Sequence, residues 1–593
     1  MKKIKFILVF FVISQFLFSN EIKVGVVLVE FSNVPRNYDV SYIESMMFST
    51  GDLWNNENIG NDIHPEGNPV FGSFREYWEQ QSHGHLTFSD SSGIIYPQGS
   101  NDPWHQLNNS IEFYDNYYLG HPEGNALSII VDELKLEEDP YYTDSRFDYI
   151  IIIYAGNTQY NDDKSGKRRR IHGLWPHASG TPGRYYILGE KHDGVFTHIG
   201  GHCHEFGHCI GLQHLADGKH EDPFEVDHFA LMEVGGMNGP TGNGACPAGV
   251  NPYHKIKKGW VTPIYISDIK KDFKIEYNYK NPNYYVINPR GDLKGNLFIL
   301  ENRLRDGFDK YTGNAPMMAD VSYDSSDCNA NDGGLLIWRV SQGNNGSRPS
   351  WIHLVCADNE ISDNSNKILE HLSYSRDPFP VLSSGQNVNR LTIPGTNFKK
   401  LSTSQEALTS GYAFQNILWQ PSDSSVTLDI YPETSEGEIH KNTYFKKTTY
   451  VVNSMTIKQN VVLTLYADLI IEEYATLTVE QNSVINFVPG TKLIIKGKIL
   501  ANGSTENPVV FSPAMGENQW DGIEFINADN TSKLENCIIN QAITGIRLID
   551  SSPKIKGCLI QNSEYFGISI NGSSDPIMQD NSFKNCGKKN IVR

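Results

Sequence analysis

The sequence predicts a multidomain α+β protein in three unlike parts: a twisted sheet carrying helices, a β-sandwich, and a parallel β-helix. Three observations predict it. Strand-like and helix-like segments alternate up to about Pro263. Short alternating strands, punctuated by Asn, Asp, Gly and Ser, follow up to about Pro432. Beyond that, Cys, Gly and Pro recur in register at a near-constant spacing. At 593 residues the chain is too long for one core. Its 39% hydrophobic and 11% aromatic content supplies several cores and excludes wholesale disorder. A formal charge of −19 without a Lys/Arg block argues against nucleic acid and anionic membranes as partners. Eight cysteines are too few for a disulfide-built scaffold.

Residues 1–20 have the pattern of a signal peptide. Lys2, Lys3 and Lys5 precede an apolar run, Phe6 to Phe18, that is too short to span a bilayer comfortably. No other apolar run is long enough to cross. The expectation is a mature protein without a transmembrane segment, secreted or at the cell surface, where disulfides are permitted.

Residues 21–263 form the first region. Ile22 to Phe31 is its opening strand. Ser73 to Gln81 and Asn125 to Leu136 carry helical periodicity. Asp148 to Tyr154 (DYIIIIY) is apolar throughout its middle, as a buried central strand requires. A helix is expected from about Phe196 to Ile210. Residues 264–432 are the second region, with strands at Tyr284–Ile287, Leu297–Glu301, Leu335–Val340, Trp351–Val355 and Val426–Ile430. Residues 433–441 are expected to be a linker.

Residues 442–593 are the third region. Cys537 and Cys558 are 21 apart, Gly545 and Gly567 are 22 apart, and Pro553 and Pro576 are 23 apart. Strands this short at that period are the mark of a β-helix, one coil per repeat. The sequence stops little more than one coil after Cys558 with no capping pattern, so either the stack continues in a longer protein or something covers its end.

The informative stretch is His204-Glu205-Phe206-Gly207-His208-Cys209-Ile210-Gly211-Leu212-Gln213-His214. His204 and His208 are four apart and share one helix face. Neutral imidazoles are good zinc ligands. Glu205 projects roughly a hundred degrees from His204, towards a metal-activated water rather than the ion. Gly211 ends the helix, and the turn returns His214 as third ligand, with Asp217 and His220 as rivals for that role. Three protein ligands leave a fourth position open, the catalytic rather than structural arrangement. Leu231-Met232-Glu233-Val234-Gly235-Gly236 follows a short way downstream of His214 and fits a methionine turn around Met232. Together these elements resemble the metzincin pattern.

Further stretches extend the likeness: Ser73 to Gly84 (SFREYWEQQSHG), Asp148 to Gly156, Leu174 to His177, Gly194 to His198 and Pro252 to Trp260. In the second region they are Leu300 to Arg303, Gly334 to Trp338 and Asp377 to Pro380. On these residues the chain resembles the immune inhibitor A family of secreted zinc metalloendopeptidases, over about Ile22 to Tyr431. The resemblance implies hydrolysis of extracellular proteins or peptides, with one zinc on His204, His208 and His214 and Glu205 as general base. Two departures stand out. The third ligand position is often Asp in that family, and here it is His214. Family members commonly carry a segment between signal and catalytic domain, whereas here a strand follows the signal directly.

Other assignments stay open. A second donor to the developing oxyanion is expected among His177, His198 and Tyr253. Cys203 and Cys209 share a helix and cannot bridge each other, but either can pair with Cys246. Cys328 can pair with Cys356; Cys537 and Cys558 would stack on successive coils, where free buried thiols are as much expected as a bridge. Asp327, Asn329, Asn331 and Asp332 resemble part of a calcium loop that lacks its distal Glu, so Ca2+ is a second candidate cofactor beside a plain solvated turn. The rival class is an adhesion or carbohydrate-binding protein that uses the β-helix to hold glycans.

Overall fold

A computed structural model describes residues 20–593, with longer breaks at 52–70, 115–125, 159–173, 216–225, 313–332, 343–348, 355–381, 388–412 and 432–436 and a few short ones. The chain is a mixed α/β region followed by a parallel β-helix of three stacked sheets. The signal segment, Asp217, His220, the 327–332 loop, Cys328, Cys356 and Asp377–Pro380 lie outside the described residues.

The first region is built on a seven-stranded sheet. Its backbone order is Gly93–Ile94, Val24–Glu30, Tyr149–Thr158, Tyr185–His192, His177–Ala178, with Trp104–Gln106 and Val195–Phe196 paired at the sides. The central strands are parallel, and the edge strand His177–Ala178 runs antiparallel to Tyr185–His192. The apolar run at 150–153 faces two cores. Ile151 and Ile153 join the core that holds the site helix, while Ile150 and Ile152 join the opposite one with Leu127 and Ile130. The expected single strand at Ile22 to Phe31 is two strands. Asn20–Ile22 pairs with Leu86–Phe88, and Val24–Glu30 enters the main sheet. The division falls at Lys23, whose N–H is taken by Asp148 Oδ2 at 2.7 Å instead of a ladder partner.

Helix Phe74–Gln81 starts at a capping box, with Ser73 and Glu76 satisfying each other's backbone N–H. It buries Phe74, Tyr77, Trp78 and Gln81. Phe74 and Trp78 meet Phe206 of the site helix at ring-centroid distances of 5.2 and 5.4 Å.

The second region contributes a five-stranded sheet, in order Ile264–Ile266, Tyr285–Ile287, Leu297–Leu304, Gly333–Gln342, Pro349–Leu354, and a three-stranded sheet, Lys270–Ile275, Ser425–Tyr431, Ala413–Gln420. One face of the larger sheet (Phe298, Leu300, Leu335, Ile337) shares a core with Phe414, Val426, Leu428 and Ile430 of the smaller. Its other face (Ile299, Trp338, Val340) packs on Phe229, Tyr253 and Ile256 of the first region. The two regions therefore share apolar surface that neither buries alone.

The third region is three sheets of seven parallel strands. Its first strand is Gly437–Ile439, inside the stretch expected to be a linker; it pairs with Ser454–Ile457. Inward residues such as Leu463, Ile485, Phe511, Ile539 and Ile560 form one continuous core. Asparagines stack at the corners: Asn482 donates to Asn460 at 2.7 Å and Asn562 to Asn540 at 2.9 Å. Among the described residues, no helix is long and apolar enough to cross a membrane.

Among the described residues, neither Cys203 nor Cys209 pairs with Cys246, and at Cys537 and Cys558 the free-thiol alternative holds. Cys203, Cys209, Cys246, Cys537, Cys558 and Cys586 are free thiols. Cys209 Sγ lies 3.4 Å from Tyr185 O and Cys246 Sγ 3.4 Å from Phe308 O, so each has a backbone acceptor in a separate pocket.

Candidate metal centre

The site helix is Ile199–Cys209, shorter at its start than expected. Its end explains the return of the chain. Leu212 N donates to Gly207 O and Gly211 N to His208 O, both at 2.8 Å, which is a Schellman closure. Gly211 takes φ +91°, a left-handed conformation that costs a residue with a Cβ. The reversal brings His214 back over the helix.

His204 Nε2 and His208 Nε2 each lie 3.1 Å from His214 Nε2. The three nitrogens fall within 4.8 Å of one another. The opposite ring nitrogens are anchored: His204 Nδ1 meets Leu231 O and His208 Nδ1 meets Leu212 O, each at 3.0 Å. A carbonyl accepts only from a protonated Nδ1, so the Nε2 atoms of these two rings present lone pairs. Zinc–nitrogen bonds of about 2.0–2.1 Å in a tetrahedron place ligand nitrogens about 3.3 Å apart, so the donor set fits one ion. Burial first, then neighbouring imidazoles, holds the His204 pKa down at about 3 and His214 at about 4; burial also lowers His208. The rings are thus neutral at physiological pH and need release no proton to bind metal.

Glu205 is almost fully buried beside this cluster. Burial pushes its carboxyl up to about 8, opposed by a hydrogen bond from the Ala178 N–H. His204, Glu205, His208 and His214 all line one cavity of about 370 Å³, with His177, Ala178 and Thr181 on one wall and Glu233, Gly236 and Met237 on another. Of the three oxyanion-donor candidates, His177 lines this cavity. His198 is the N-cap residue of the site helix, and Tyr253 packs in the core shared with the second region.

Met232 is fully buried under the helix. A Cβ at Gly207 would come within 2.5 Å of its sulfur, so glycine there lets the methionine approach. The loop around it is held from several sides. Tyr77 OH donates to Ala248 O at 2.6 Å, Arg303 Nη1 to Phe229 O at 2.7 Å, and Gly249 N to Asp309 Oδ1 at 2.9 Å. Sequence reasoning missed Leu231 O and Leu212 O, since backbone carbonyls carry no residue signature. It also passed over Glu233, whose one signal is an acidic residue directly after the methionine.

Compared with known proteins, residues 499–592 match a family described as a right-handed β-helix region. No curated protein and no solved structure matches the chain.

Proposed function

We propose that the chain is a secreted zinc-dependent endopeptidase of the metzincin type, similar to immune inhibitor A over its first two regions. The observation that carries this reading is the convergence of three imidazole Nε2 atoms, at 3.1 Å from His214, beside the buried carboxyl of Glu205. His204, His208 and His214 would hold the zinc, which when bound supplies a Lewis acid that polarises a peptide carbonyl and acidifies water. Glu205 takes the proton of the attacking water and hands it to the leaving amine. Burial raises that carboxyl's proton affinity, which favours the first of these steps. Of the three candidate donors to the carbonyl oxygen, lining the cavity favours His177, and Met232 would be the packed floor under the ligand helix. The facing sheets of the second region are read as a β-sandwich bracing that floor, and residues 1–20 as the export signal.

The test is cleavage of casein or gelatin by the mature protein and by Glu205→Ala, with metal content measured in both. The expected result is activity in the parent alone and equal zinc in the two. Absence of zinc from the parent overturns the reading. His214→Ala should lose stoichiometric zinc.

One observation favours a second role for the β-helix. Tyr444 and Tyr466 on its first coils are 58% and 54% exposed with ring centroids 6.3 Å apart, an aromatic surface on which a sugar ring can stack. Retention of the parent, and not of Tyr444→Ala/Tyr466→Ala, on insoluble polysaccharide would support glycan holding.

A further inference from the structure

The loop after Ala230 meets His204 and the chain neighbours of His208 and His214 at three successive residues. Leu231 O accepts from His204, Met232 fills the space under Gly207, and Glu233 Oε1 accepts from Leu215 N at 2.8 Å. The third contact concerns the one candidate ligand outside the helix. His204 and His208 are fixed by helical geometry, whereas His214 follows the turn at Gly211 and its side of the site is exposed. The peptide joining His214 to Leu215 is where Glu233 takes hold.

We propose that Glu233 is a positioning residue for the third metal ligand: its carboxylate pins the Leu215 N–H and so holds His214 Nε2 at 3.1 Å from the other two nitrogens. A carboxylate accepting from a backbone N–H makes a charge-assisted bond, stronger than a neutral one. The same loop then aligns all three imidazoles, His204 through a carbonyl, His208 through the helix resting on Met232, and His214 through Glu233. This inference rests on the zinc reading above and adds a residue that no spacing pattern contains.

The experiment measures zinc affinity by chelator competition, and the visible absorption of the cobalt-substituted protein, for the full chain and its Glu233→Ala, Glu233→Gln, His214→Ala and Glu233→Ala/His214→Ala variants. Loss of an outer partner typically lowers metal affinity about 10- to 100-fold. That loss is expected for Glu233→Ala, with a cobalt spectrum shifted towards that of His214→Ala. Glu233→Gln keeps an oxygen acceptor at the same place and should bind within a few-fold of the parent. In the His214→Ala background, read at zinc and cobalt concentrations high enough to load the two remaining imidazoles, Glu233→Ala should change nothing further, because the effect runs through His214. Parent-like affinity and spectrum in Glu233→Ala overturn the proposal, as does an equal additional loss in the double variant. A parent that binds neither zinc nor cobalt overturns the zinc reading itself, and this inference with it.

Discussion

Gly207 and Met232 show how much of the centre depends on single side chains. A methyl group at residue 207 meets the methionine sulfur at 2.5 Å, so Gly207→Ala must push the helix or the loop aside. The expected cost is about 1–3 kcal/mol, as for overpacking elsewhere, with a parallel loss of zinc affinity; urea titration and chelator competition read the two. Lys255 gives a pH-dependent test. It is buried with its Nζ 3.3 Å from Tyr284 OH, and burial pushes its pKa from 10.5 down to about 8, against the pull of Glu301. Between pH 8 and 10.5 the folded chain thus holds fewer protons than the unfolded chain, and stability rises with pH there. Relative to Lys255→Met, the parent should gain up to about 1.4 kcal/mol per pH unit across that window. A difference between the two proteins that does not vary with pH would refute the shift. At this scale the side chains of the centre were legible, because helix pitch fixes where His204, Glu205 and His208 emerge. What holds their rings was not, because Leu231 and Leu212 act through carbonyls.

Elements were legible where one physical signal dominated. Four consecutive isoleucines announced a strand with a core on each face, and Gly211 announced a helix end. The ties between elements were less so. Arg303 and Glu301 sit on a strand of the second region, 2.7 Å apart and almost wholly buried, with Trp338 Nε1 also donating to Glu301 at 2.8 Å. Arg303 reaches on to Phe229 O and to Asp309, which itself holds Gly249. Alternation along a strand gives no hint that these side chains reach the loop bearing Met232. Removing one partner of a buried pair leaves an uncompensated charge, so Arg303→Ala should cost about 3–5 kcal/mol in urea unfolding. Because the same guanidinium clamps the methionine loop, zinc affinity should fall with it; unchanged affinity would separate the clamp from the site.

For the whole molecule, the sharing of cores decides which pieces can stand alone. Phe308 of the second region packs among the first region's buried residues, 5.0 Å from the ring of Tyr77. A chain ending at Pro263 exposes Phe229, Tyr253 and Ile256, and should not give a cooperative unfolding transition. A chain ending at Tyr431 leaves those contacts whole and should bind zinc like the full protein. The β-helix was legible where its coils keep one step. The late pairs Ile523↔Ile546, Lys533↔Lys554 and Leu559↔Ser582 and the early pairs Ser454↔Thr476, Val462↔Val484 and Thr476↔Lys498 advance by nearly equal steps along the chain, whereas the middle pairs Lys492↔Gly522 and Leu500↔Lys533 take distinctly longer ones. Loops between strands lengthen those middle coils and interrupt the period without disturbing the stacking. Trp520, at the foot of one such loop, lies flat on Phe487 with centroids 3.9 Å apart and belongs to the same core.

That stacking makes the third region a ruler. Its seven strands per sheet mark six intervals of about 4.8 Å, roughly 29 Å in all. Length in such an object changes by whole graduations. Excising 537–557 would join Asn536 to Cys558, the counterpart of Cys537 one coil on, and shorten the rod by one mark with every inward side chain still inward. Excising half as much would set strands against the corners of the next coil and spoil the scale.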